Sequence, residues 1–136
     1  MLTRMKVILR GIAAMVIGYA VIVVITSIGF EYVGQRLYGA QPATLIKGAL
    51  VAVVAGLAGG LAAGFIGAKR GLVNAAPVLI FLAIDTTYVL FFFQPRRAPL
   101  WFDLMGSLTL MACALIGGRL RDYFAARYTI SPPTTV

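Results

Sequence analysis

Four carboxylates make up the acidic complement of this chain: Glu31, Asp85, Asp103 and Asp122. Histidine is absent and there is one cysteine, Cys113. Acid–base and nucleophilic catalysis need a base held within reach of its target, and the commonest base, imidazole, is missing. A lone cysteine excludes an internal disulfide and a cysteine metal cluster. Between Ala112 and Ala114 it reads as a small packing residue, not a redox centre. Glu31 and Asp103 are expected near the same membrane surface as Arg36, Arg96 and Arg97, which would neutralise them. The run GLAGG at 56–60 lacks the GxxxxGK[ST] pattern of a phosphate loop. No catalytic residue, cofactor site or metal site can be assembled, and the expectation is a protein that is not an enzyme.

Asp85 is different, because it lies inside an apolar run, AIDTTYVLFFF. At 1.5 Å per residue it falls roughly 18 Å from the inner end of its helix and about 12 Å from the outer end. An ionised carboxylate facing lipid at that depth is strongly disfavoured, so it should face protein or water, or be protonated. Lys47 is the expected counter-charge, entering the preceding helix from the outer side. Thr86, Thr87 and Tyr88 complete a candidate polar intramembrane site with Asp85 and Lys47. Two readings stay open: a residue that only ties two helices together, or a proton- or cation-linked site that opens outward.

The elements that must hold these residues follow from composition. Of 136 residues, 61% are hydrophobic and 12% charged, well beyond the roughly 45–50% apolar share of soluble domains. A span needs about 20 apolar residues, and four such stretches nearly exhaust the chain. The expected spans are about 9–30, 43–68, 73–93 and 99–118, followed by a tail over 119–136, all in one membrane domain. The fold class is all-α, an integral membrane four-helix bundle. The first run could be a signal peptide cleaved after Gly29, but its spanning length argues for a retained helix. Gln41-Pro42 opens the second helix, with proline where its missing N–H does no harm. The short connection at Lys69-Arg70-Gly71 makes helices two and three antiparallel neighbours. Gln94-Pro95-Arg96-Arg97-Ala98-Pro99 breaks the chain before the fourth. The tail starts as a basic, aromatic stretch suited to the membrane surface and ends in SPPTTV, expected to be disordered.

Net charge is +8, which here marks topology and not nucleic acid, because the basic residues sit at the ends of apolar runs. Arg4, Lys6, Arg10, Lys69, Arg70, Arg119, Arg121 and Arg127 fall on one side; Arg36, Lys47, Arg96 and Arg97 fall on the other. Eight against four places both termini in the cytoplasm. A bacterial-type cytoplasmic membrane is the expected location, and the bilayer itself is the first partner.

Small residues recur every four positions from Gly48 to Gly71: Gly48, Ala52, Gly56, Gly60, Gly64 and Ala68, with a second row at Ala55, Gly59, Ala63, Gly67 and Gly71. Rows spaced by four form a strip along a helix, and a bare strip lets a neighbouring backbone come close in lipid. Gly56, Gly60 and Gly64, with Gly11 and Gly18 of the first helix, are the expected packing positions. Substitution at Gly59 is expected to be milder should the second row face lipid.

Two small four-helix families were natural comparisons. Small multidrug transporters centre on a first-helix glutamate, whereas Glu31 stands at the end of that helix. Dimeric fluoride channels carry a second-helix asparagine and a Thr/Phe/Ser-rich break in the third, and this chain has neither. The expected role is a non-enzymatic accessory or scaffold subunit that meets another membrane protein or a second copy of itself. The alternative is a small, dimeric transporter or channel with an outward-facing site at Asp85 and Lys47.

Overall fold

The computed structural model describes residues 2–33, 41–67, 71–92 and 99–128. The connection with Arg36 and Tyr38, the Lys69-Arg70 pair, the break at 94–98 and the SPPTTV end lie outside the described residues. Among the described residues five helices follow one another: α1 (Leu2–Val33), α2 (Pro42–Ile66), α3 (Gly71–Ala75), α4 (Val78–Phe92) and α5 (Leu100–Tyr128). Four stretches are long and apolar enough to cross a membrane, with α3 and α4 together making the third. Their outer faces carry exposed Ile, Val, Leu and Phe throughout, as lipid-facing helices do. Among the described residues the structure is therefore all-α, with four helical stretches of the length and hydropathy expected from composition.

Local chemistry explains the boundaries. Pro42 occupies the first turn of α2, and the Gln41 carbonyl accepts from Thr44 N–H at 2.9 Å. The Pro99 carbonyl does the same for Phe102 N–H at 2.9 Å, with Asp103 in the positive first turn of α5. The third span is not one continuous helix. Pro77 has no N–H to donate, so the ladder breaks at Ala76-Pro77 and restarts with tighter bonds from Leu79 N–H to Ala76 O and Ile80 N–H to Pro77 O, both 3.1 Å.

Packing departs from a simple sequential bundle. α2 lies between α1 and α5, and α4 leans on α5 and α1 instead of running beside α2. The expected neighbour relation of helices two and three holds only for the short α3. The cause is where glycine removes side chains. A Cβ on Gly59 would stand 2.7 Å from the Gly18 carbonyl, and one on Gly18 would stand 3.0 Å from the Gly59 carbonyl, so α1 and α2 meet backbone to backbone. On the other face, a Cβ on Gly60 would collide with the Ala114 carbonyl, and one on Gly117 with the Leu57 carbonyl. Contacts at Gly48–Phe102, Gly56–Cys113 and Gly64–Arg121 advance together along both chains, so α2 and α5 run parallel. Both small-residue rows are thus used, and the second faces α1, not lipid.

Gly11 corrects an expectation: a Cβ there would meet nothing within 4 Å, so it is not a packing glycine. The α1–α2 contact begins higher, where Ala14, Ile22, Ala55, Ala63, Val78 and Leu82 form the core. A second cluster at the far end centres on Phe102 with Phe30, Val33 and Leu45. α5 also runs unbroken through Gly117-Gly118 to Tyr128, so the first part of the expected surface segment is the end of that helix.

Candidate functional site

Where α4 turns away from α2, a cleft of about 430 Å³ remains in the half of the bundle remote from the termini. Four helices line it, with α1 contributing Phe30. α4 contributes Asp85 and Thr86, and α5 contributes Trp101, Phe102, Asp103 and Ser107. α2 contributes Leu45, Gly48, Ala49 and Ala52, positions three and four apart on one helical face. Gly106 also lines the cleft, and a Cβ there would meet nothing within 4 Å.

The polar groups are partly satisfied. Thr86 Oγ1 donates to the Leu82 carbonyl at 2.7 Å, and the Thr86 and Ser107 hydroxyls are hydrogen-bonded at 2.9 Å. That pair joins α4 to α5 across the floor of the cleft. Asp85 is exposed, and the Tyr19 hydroxyl on α1 lies near its carboxylate. The Tyr19 ring rests against Phe81, one turn below Asp85, with ring centroids 5.3 Å apart.

The structure therefore divides the expected site. Asp85 and Thr86 share the cleft. Thr87 is exposed and bonds back to the Ala83 carbonyl at 2.7 Å, while Tyr88 is exposed and stacks on Phe92. Lys47 is exposed on α2 and is not part of the cleft lining. Its helix position is about 100° from Gly48, which points inward. Among the described residues the ion pair is Arg121–Asp122, at 3.3 Å, and not Lys47–Asp85. In the structure the two side chains are not paired, and α4 does not run beside α2.

Two residues went unremarked in the sequence as partners. Tyr19 had no local signal, since it meets Asp85 across 66 positions of chain (85 − 19). Asp122 is the other: its Oδ1 accepts the Gly71 N–H at 2.7 Å and caps α3 from the far end of α5. The chain matches no family model, and no curated protein or solved structure is detectably similar to it. Fold and cleft define a multi-pass helical protein of the membrane class, and what it does must be argued from the cleft and the packing.

Proposed function

We propose that the chain is a non-enzymatic accessory or scaffold subunit of a membrane assembly, in a bacterial-type cytoplasmic membrane with both termini cytoplasmic. The observation that carries this is the contrast between the two halves of the bundle. Near the termini, backbones touch at Gly18–Gly59, Gly60–Ala114 and Gly71–Gly118. Helices packed so closely leave no room for a solute between those surfaces. The remote half holds the cleft. A unit shut at one end and grooved at the other suits presentation of a surface better than conduction. The eight-to-four split of basic residues supports the orientation. In it, Arg119, Arg121 and Arg127 at the end of α5 would meet anionic headgroups.

The test is photo-crosslinking from Ile84 and Phe91, both exposed on α4, in native membranes at native abundance. The expected outcome is one stoichiometric polypeptide at α4 positions and none at exposed positions of α1 such as Val24. Cross-links to lipid alone from every position would defeat the reading. The cleft favours a second reading, a small dimeric transporter with an outward-facing site at Asp85. That reading requires the glycine contacts to part, and it predicts flux in proteoliposomes that Asp85→Asn abolishes.

A further inference from the structure

We propose that the cleft between α2, α4 and α5 is a binding site for an amphiphilic organic cation, an ammonium group carried on an aromatic or short alkyl body. The inference goes beyond the accessory role and needs no partner protein. Its volume of about 430 Å³ lies in the ordinary range of small-molecule sites, roughly 300–1,000 Å³. Asp85 and Asp103 both line it, and no lysine or arginine is among the described lining residues. Asp85 is the anchor, because it lines the cleft from the middle of α4 while Lys47 lies outside the lining. A cation that joins a carboxylate at mid-depth offsets the cost of holding that charge away from water.

The other walls choose the kind of cation. Phe30, Trp101 and Phe102 present aromatic surface, which attracts an alkylated ammonium through the ring faces and takes up its apolar body. A bare metal ion is a poor match. Calcium and magnesium need about six oxygen ligands, whereas Thr86 and Ser107 are bonded to each other and the rest of the lining is mainly apolar. A lipid acyl chain would fill the groove but leave Asp85 without a counter-charge.

Trp101 is the single tryptophan of the chain and lines the cleft, so its fluorescence reports occupancy. The experiment titrates benzyltrimethylammonium into the full chain in zwitterionic nanodiscs, with neopentylbenzene as the uncharged isostere and calorimetry as a second readout. Saturable binding of the cation is expected, with the isostere weaker by about tenfold or more. Asp85→Asn should weaken the cation by a similar factor and leave the isostere unchanged. Lys47→Ala should bind as the parent does. Gly106→Leu fills the cleft from a position with open space at Cβ, so it should keep the fold and lose binding even if Asp85→Asn proves unstable. Equal affinity for cation and isostere would mark a merely apolar groove and overturn the proposal. So would unchanged cation binding in a folded Asp85→Asn protein, or in Gly106→Leu. Binding without the α4 cross-link would remove the accessory reading alone.

Discussion

The backbone amide of Gly71 donates a 2.7 Å hydrogen bond to Asp122, 51 residues further along the chain. Helix starts leave amides without intrahelical partners, and α3 is only five residues long. Asp122 supplies the missing acceptor from a neighbouring helix, and Arg121 at 3.3 Å neutralises it. The contact sits beside the place where a Cβ on Gly118 would lie 2.7 Å from the Gly71 carbonyl. One carboxylate therefore fastens the start of α3 to α5.

Asp122→Ala should lower stability by roughly 1–2 kcal/mol, the usual cost of losing a helix cap. Asp122→Asn keeps an acceptor oxygen and should recover most of that loss. Thermal unfolding in detergent reads both. An alanine variant as stable as the parent would show that the cap contributes nothing.

The glycine contacts predict an ordered series. Gly60→Leu should be the most damaging, because the new side chain meets the Ala114 backbone, which cannot rotate aside. Gly59→Leu should be comparably severe, since it strikes Ile22 and the Gly18 carbonyl. Gly64→Leu should be milder, because the nearest atoms are the Cβ and Cγ of Arg121, at 3.2 and 3.4 Å. Overpacking typically costs about 1–3 kcal/mol where side chains can adjust, and more where backbone blocks them. Gly11→Ala should be neutral or stabilising by up to about 1 kcal/mol, as it gains helix propensity in open space. Measuring melting temperatures across the four variants checks the order, and equal loss at Gly60 and Gly64 would contradict it.

Much of this fold was legible in the chain. Hydrophobic length marked four spans, Pro42 marked the start of α2, and small residues every four positions marked close helix contact. What a row of glycines does not carry is the identity of the helix it meets. Gly56 and Gly60 select α5, a parallel partner, because Gly117 and Ala114 offer matching room there. That choice displaced α4 from α2 and opened the cleft. Lys47 and Asp85 were matched by depth alone, and depth says nothing of the angle around a helix axis. Tyr19 and Asp122 act across 66 and 51 positions, where no local spacing rule applies. Pro77, by contrast, acts locally: without an N–H it parts α3 from α4.

The electrostatics around Asp85 can be tested without reference to function. A double-mutant cycle with Tyr19→Phe and Asp85→Asn should show coupling of about 0.5–1.5 kcal/mol, the range of a hydrogen-bonded pair. The same cycle with Lys47→Ala should be additive within about 0.5 kcal/mol, because the two side chains do not meet. Thermal stability of the singles and doubles supplies both numbers. Coupling to Lys47 larger than coupling to Tyr19 would restore the ion pair that charge counting suggested and would undercut the cleft as drawn.

Topology decides which compartment the cleft faces. Positive charge orients helical membrane proteins because basic loops stay on the cytoplasmic side, and short loops within a few turns of the spans weigh most. Eight basic residues lie on the side of the termini and four on the other. Arg96 and Arg97 are adjacent, so the opposing group is concentrated in one connection. Reporter fusions after Arg70 and at the C-terminus should read cytoplasmic, and one after Arg97 should read periplasmic. Replacing Arg119, Arg121 and Arg127 with Gln would leave five against four and should yield a mixed population. Mass spectrometry of the mature chain should find residues 1–29 retained, because α1 supplies Gly18 and Ile22 to the core of the bundle. Cleavage after Gly29 would remove that contact surface from α2 and leave three spans. A cytoplasmic reading after Arg97 with an intact N-terminus would place Asp85 toward the inside instead, and organic cations would then have to reach it from the cytoplasm.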